Sequence, residues 1–182
     1  MIGPFLEFAD YKRFMERREE FKDIPSPVVP SLKVFGYSFL YLGVFVVGDM
    51  FFPIETCWSQ QYLTFSFPYR VFYYWIALII KRFFYYSPFT LIDAGIIACG
   101  FGYNGTTDEK GKPVARWDRI VGMYVYNIEI MKTPLIGMRD WNHNVYIWIK
   151  HYIAGRLVGP GQKMGLKQTM IVFFTMSYWH GF

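Results

Sequence analysis

The feature that most constrains this chain is the run VFGYSFLYLGVFVVGDMFFPI over residues 34–54, which is apolar except for Asp49. A helix crossing a bilayer needs about 20 mostly apolar residues, because the hydrocarbon core is about 30 Å thick and a helix rises about 1.5 Å per residue. This run meets that length. A second run, YLTFSFPYRVFYYWIALII over residues 62–80, contains Pro68 and Arg70 and is closed by Lys81 and Arg82. A third and weaker run covers residues 83–103, and a fourth covers residues 168–182 and is still apolar where the sequence ends, as if cut short. The expected fold class is all-α, a polytopic membrane helical bundle.

Composition supports that reading. Aromatic residues make up 22% of the chain and charged residues 18%. Tyr and Trp favour the membrane–water interface, where the ring is buried and its polar tip stays wet. The formal charge of +5 is spread out and forms no basic stripe on a polar face, so nucleic acid is not an expected partner. Cys57 and Cys99 are too few and too far apart for a disulfide framework or a metal site. The amino end is charged from Glu7 to Lys22 and lacks the apolar core of a signal peptide.

Charge sets an expected sidedness, because Lys and Arg in short loops favour the cytoplasm. Residues 1–33 form a polar, cytoplasmic segment carrying Lys12, Arg13, Arg17, Arg18, Lys22 and Lys33, with Pro25, Pro27 and Pro30 breaking any helix. Residues 55–61 carry no basic residue and face outside. The 83–103 run contains Pro88, Asp93, Gly95, Gly100 and Gly102, which suit a broken or re-entrant element buried in protein. On this reading 83–103 dips in and returns, residues 104–167 are cytoplasmic, and 168–182 enters from that side. Residues 141–158 form an amphipathic helix, with Val145, Trp148, Ile149, Tyr152 and Ile153 near helical spacing, and Gly159, Pro160 and Gly161 end it.

Several residues stand out chemically. Gly100-Phe101-Gly102-Tyr103-Asn104-Gly105 matches G-x-G-x-x-G, but no helix or βαβ unit is expected around it, so it reads as a glycine-rich turn. Asn142, His143 and Asn144 open the amphipathic helix, and Asn is a good N-cap. His180 lies deep in the last apolar run, about 18 Å from its start at the helical rise. A histidine there fits either a satisfied packing residue or a group facing a cavity or pathway. Asp49, Arg70 and Asp93 raise the same pair of readings. Lys110, Lys112, Arg116 and Arg119 form a basic loop, which suits a solvated surface or an attraction for phosphates.

Taken in order, Gly3-Pro4-Phe5-Leu6-Glu7-Phe8, Cys99 to Tyr103, Trp117-Asp118, Trp141-Asn142-His143-Asn144 and Trp179-His180-Gly181-Phe182 resemble the membrane-bound O-acyltransferase family, in its lysophospholipid acyltransferase branch. The resemblance runs from residue 3 to 182. It implies an endoplasmic reticulum membrane enzyme of phospholipid remodelling that moves a fatty acyl group from acyl-CoA to a lysophospholipid hydroxyl. His180 then matches the catalytic histidine and Asn142 its partner asparagine, while Asn144 is not at the matching place. Trp117, Asp118, Trp141 and Trp179 are implied to contact substrate. Acyl-CoA is a co-substrate, and no cofactor or metal is expected. Family members carry more spans before the Gly-Pro-Phe motif and a Pro-Gly-Tyr continuation after Trp-His-Gly, so the 182 residues alone are expected to be inactive.

Two alternatives compete with this reading. One keeps the family and changes the acceptor to a sterol, diacylglycerol or peptide, against which Trp117-Asp118 and Gly3-Pro4-Phe5 argue. The other is a transporter or scaffold fragment in which Asp49, Arg70, Asp93 and His180 line a pathway, although the sequence contains no internal repeat of the kind such proteins use. The sidedness is testable at the Asn104-Gly105-Thr106 sequon. Asn104 is expected to carry no sugar in native membranes. A mobility shift on glycosidase treatment that is lost in Asn104→Gln would place the 104–120 loop outside.

Overall fold

The computed structural model describes residues 4–109, 112–159 and 161–181 and is mostly helical. Gly3, Lys110, Pro160 and Phe182, singled out above, lie outside these residues. The chain divides into two compact units, Glu16–Arg119 and a second made of Met1–Met15 with Ile120–Phe182. Residues 16–33 of the polar segment fall in the first of these units and residues 1–15 in the second.

The first unit is built on two long helices, α2 (Val28–Phe51) and α4 (Phe67–Ala98), with the short α3 (Gln60–Thr64) in the connection between them. Contacts between α2 and α4 run in opposite order along the two chains. Ser38 meets Ser87, Tyr41 meets Phe83 and Tyr86, Phe45 meets Phe84, and Phe52 meets Phe72 and Tyr73. The two helices are thus an antiparallel hairpin. They approach closely at Gly48, where a Cβ would lie 2.8 Å from Cγ1 of Ile80. Outside this seam α2 leaves Phe35, Phe39, Leu40, Val47 and Met50 exposed. The stretch Val28–Trp58 is the one helical segment among the described residues long and apolar enough to cross a membrane.

Three expectations about these helices need correction. First, α2 starts at Val28 rather than after Pro30, because Pro30 sits in the first turn, where backbone N–H groups have no intrahelical partner to lose. Pro68 is likewise in the first turn of α4. Second, the helix does not stop at Lys81 and Arg82. Charge can end an apolar run without ending a helix, and both residues are good helix formers. Lys81 Nζ instead lies 5.1 Å from the Phe84 ring centre and 5.6 Å from that of Phe45. Third, residues 67–98 form one helix of about 48 Å at the helical rise, with no re-entrant turn and Pro88 inside it. The missing Pro88 N–H costs the helix a hydrogen bond, and packing offsets that loss: Tyr86 and Phe89 are buried beside it. Ser38 Oγ also donates to the Ser87 carbonyl at 2.8 Å, adding a tertiary hydrogen bond next to the proline.

The carboxyl end of α4 leads into the glycine-rich turn. Gly100 and Gly105 have φ of 87° and 78°, and a Cβ on Gly102 would lie 3.0 Å from Ile97. A strand follows, not a helix, which accords with a structural turn. The all-α expectation is corrected here by a small antiparallel hairpin of β1 (Thr106–Glu109) and β2 (Lys112–Ala115), in register Thr106↔Ala115 to Glu109↔Lys112. Four-residue strands carry too little alternation to be read from sequence.

The second unit holds α1 (Phe8–Met15), α5 (Val125–Glu129), α6 (Pro134–Asp140), α7 (His143–Ile149), a π-helical turn at Lys150–Ala154, α8 (Gly155–Leu157) and α9 (Leu166–His180). From α7 to α8 the helix is continuous, and Val145 and Ile149 on the expected apolar face are buried.

The hairpin seam gives a test by contrast. Gly48→Val drives a branched side chain into Ile80 and should destabilise by about 1–3 kcal/mol, the usual cost of overpacking. Gly43→Ala meets nothing within 4 Å and should be neutral or stabilising by up to about 1 kcal/mol. Thermal unfolding in detergent micelles should rank Gly43→Ala at or above the parent and Gly48→Val below it.

Candidate functional site

In the second unit α6 ends at Asp140 and α7 starts at His143, so Trp141 and Asn142 must reverse the chain in two residues. Asn142 does this in the left-handed region, at φ 50° and ψ 53°. Asparagine is the non-glycine residue best suited to that region. The expected capping role is corrected. Asn142 occupies the N-cap position, but its side chain makes no cap hydrogen bond. The backbone on both sides is tied down instead. Trp141 N–H donates to the Gly137 carbonyl at 2.9 Å, and His143 N–H to that of Gly122 at 2.8 Å. His143 Nδ1 lies 3.0 Å from the Arg139 carbonyl, which calls for a proton on that nitrogen, and its ring meets Tyr124 edge-on at 4.9 Å.

Beneath this turn is Asp140, 1% exposed. Arg139 donates to both of its oxygens, from Nε at 2.6 Å and from a terminal nitrogen at 3.0 Å, and Asn127 Nδ2 donates at 2.7 Å. The Asp140 carbonyl receives the Tyr124 N–H at 3.1 Å. The Arg139 hydrogen bonds hold the Asp140 carboxyl below the usual carboxylate range, against the opposing pull of burial and with help from Asn127. Sequence reasoning missed Asp140. A carboxylate next to an arginine reads as a surface pair, and no one-dimensional signal marks it as buried.

His180 is the last residue of α9 and is exposed, with Gly181 at φ 84° ending the helix. Its neighbour Trp179 is drawn into a ring cluster. Phe5 stacks on Trp148 at 4.7 Å and 16° and meets Trp179 at 5.3 Å, and the two tryptophans lie 6.3 Å apart. Phe5 is held by its backbone. Its N–H donates to Asn144 Oδ1, and Asn144 Nδ2 donates to its carbonyl at 3.3 Å. The structure thus brings the Gly-Pro-Phe, Trp-Asn and Trp-His-Gly segments into one unit. Among the described residues no hydrogen bond engages the Asn142 or His180 side chain.

Trp117 and Asp118 belong to the other unit, in a knot that organises the glycine-rich turn. Trp117 meets Tyr103 at 5.5 Å. Asp118 accepts from Asn104 Nδ2 at 2.9 Å and from Arg116 at 2.7 Å. Burial pushes its carboxyl up, but the Arg116 and Asn104 hydrogen bonds outweigh it and leave the carboxyl below its ordinary value. Arg119 donates from Nε to the Tyr103 carbonyl at 2.8 Å, pairs with Glu20 and lies 4.5 Å over the Phe21 ring. Arg116 and Arg119 of the basic loop are therefore committed to carboxylates within the chain. Asp49, Arg70 and Asp93 also lie in this unit, whereas His180 lies in the other, so the expected pathway residues are not gathered in one unit.

The sequence profile of the membrane-bound O-acyltransferase family matches residues 1–182. The chain belongs to that family. It is 27% identical over 202 residues to a lysophospholipid acyltransferase of Saccharomyces cerevisiae, covering 100% of this chain and 32% of the yeast protein. It is 28% identical over 184 residues to lysophospholipid acyltransferase 2 of Arabidopsis thaliana, covering 98% of this chain and 39% of the plant protein. It is 30% identical over 199 residues to membrane-bound glycerophospholipid O-acyltransferase 2 of Mus musculus, covering 100% of this chain and 36% of the mouse protein. The chain spans between 32% and 39% of the length of these relatives.

The Asp140 carboxylate gives the unit a defined acid sensitivity. A carboxyl whose folded pKa lies below its unfolded value near 3.9 contributes stability above that value and loses it as pH falls through the folded pKa. Asp140→Asn should lower the melting temperature at neutral pH and flatten its fall below about pH 4 relative to the parent. Circular dichroism melts across pH in detergent read both effects. A variant that melts like the parent at pH 7 would show the carboxylate to be dispensable.

Proposed function

We propose that the complete gene product is a lysophospholipid acyltransferase of phospholipid remodelling, a polytopic helical bundle of the endoplasmic reticulum membrane that takes acyl-CoA as donor. The observation that carries this reading is that the Trp141-Asn142 turn and the Trp179-His180 helix end belong to one compact unit, where among the described residues no hydrogen bond engages the amide or the imidazole. The names of the relatives support the choice of acceptor.

A glycerol hydroxyl is a weak nucleophile until it loses its proton. A neutral imidazole near pH 7 suits that task, so His180 acts as general base. The oxygen attacks the thioester carbonyl and the C–S bond breaks. The CoA sulfur leaves and takes up the proton held by His180, so no covalent enzyme intermediate is needed. Asn142 supplies an amide N–H to the developing oxyanion or holds the acceptor hydroxyl. Trp141 and Trp179 flank these two groups in sequence and line the acyl or lipid path. Trp117 and Asp118 shape the glycine-rich turn that receives substrate. The exposed apolar surface of α2 faces lipid or further helices, and the acceptor enters sideways from the bilayer while CoA stays on the cytoplasmic side.

Microsomes carrying the complete gene product should transfer a labelled acyl group from acyl-CoA to lysophosphatidylcholine, lysophosphatidylethanolamine or lysophosphatidylinositol. His180→Ala should lower the rate by about 10²–10⁴-fold while the protein still inserts, and Asn142→Ala by about 10²–10³-fold. Near-parent activity of the His180 variant would defeat the assigned role. Transfer to a sterol, diacylglycerol or peptide in place of all three lysolipids would move the protein to another acceptor class.

A further inference from the structure

We propose that Asn144 is a positioning residue that locks the end of α9, and with it His180, onto the helix that follows Asn142. The proposal rests on the acyl-transfer reading above and deepens it. Asn144 lies in the first turn of α7, where an asparagine side chain ordinarily caps the helix or faces solvent. Here its amide reaches a residue 139 positions away and engages both backbone groups of Phe5, accepting from the N–H and donating to the carbonyl. A side-chain amide bonded this way imitates the two-point bridge between strands. An amide accepts and donates in that arrangement, whereas an ionised carboxylate of the same size can only accept.

The clasp matters because of what Phe5 carries. Its ring stacks on Trp148 from α7 and meets Trp179 from α9. α9 has no fully buried residue of its own. At its carboxyl end Trp179 contacts both Phe5 and Trp148. Aromatic pairs of this kind add about 0.5–1.5 kcal/mol each, enough to fix a helix end only if the central ring is itself immobile. Asn144 immobilises it. The line from Asn144 through Phe5 and Trp179 ends one residue from His180, and Asn144 itself stands two residues from Asn142. One side chain thus sets the spacing of the general base and the asparagine without touching substrate.

A displacement of about 1 Å between reacting groups can cost on the order of 100-fold in rate. In the complete gene product, assayed with labelled acyl-CoA and the lysophospholipid the parent uses best, Asn144→Ala should lower kcat by about 10–100-fold. KM for both substrates should stay within about twofold, because a group that acts only on the alignment of reacting atoms leaves ground-state binding alone. Phe5→Ala should show the same split. The double variant should lose little more than the worse single one, since both act through one contact. Asn144→Asp is isosteric but, when ionised, has no proton to donate to the Phe5 carbonyl. It should also lose kcat, and it decides the matter if the alanine variant accumulates poorly.

Parent-like kcat in Asn144→Asp, a raised KM at unchanged kcat, or additive losses in the double variant would each overturn the proposal. His180→Ala is run beside these variants. If it abolishes transfer while the Asn144 variants match the parent, the positioning role fails and the acyltransferase reading stands. If it retains transfer, His180 is not the general base and the positioning role falls with it; if the parent itself transfers no acyl group to any lysophospholipid, the acyltransferase reading fails.

Discussion

A helix in apolar surroundings has to satisfy its own backbone, because nothing around it can hydrogen-bond the N–H and C=O groups it leaves open. The stretch Val28–Trp58, long and apolar enough to cross a membrane, meets that constraint by staying helical through α2. Packed against it, α4 stays helical without interruption even across Pro88. They pair along a seam where Gly48 admits Ile80 and where Ser38 meets Ser87, the buried polar contact beside the proline. Irregular backbone is confined to the ends of the hairpin. At one end Tyr62, Phe65, Tyr69 and Tyr73 cluster around the connection, with Tyr73 donating to the Pro53 carbonyl at 3.1 Å. At the other, the glycine-rich turn is closed by Tyr103, Trp117 and Arg119.

The second unit solves a different problem, which is to hold two catalytic candidates on separate helices without engaging their side chains. Its means are backbone bonds and buried polar groups placed one or two residues away. Asp140 and His143 brace the left-handed turn from either side, and among the described residues no hydrogen bond engages the Asn142 side chain between them. Trp179 is packed so that His180, next to it, stays exposed. Strain at a non-glycine residue persists only where its surroundings over-determine it. The network around Asp140 surrounds the turn before α7 with such contacts.

Much of this was legible in one dimension. The 34–54 run announced a long apolar helix through its length and the near absence of charge. The spacing of Val145 and Ile149 marked the buried face of α7, and the ordered Trp-Asn and Trp-His-Gly segments pointed to the family. The errors had physical causes. Pro88, Lys81 and Arg82 read as breaks because local propensity was weighed without the partner helix that compensates for it. Thr106–Glu109 and Lys112–Ala115 read as loop because two four-residue strands of mostly polar sequence show no apolar alternation to reveal them. Asn142 read as a cap because its type and position suit one, while its dihedral angles are set by contacts from Gly122 and Gly137.

By itself the sequence determined the apolar helix, the candidate pair Asn142 and His180, and the family, because each is carried by residue type and order along the chain. Tertiary structure alone decided that residues 67–98 form one helix, that Asp140 is buried, and that Asn144 clasps Phe5 from 139 positions away. Those features depend on which segments meet in space. A hydrogen bond or a ring stack across such a distance leaves no periodicity in the sequence between its partners.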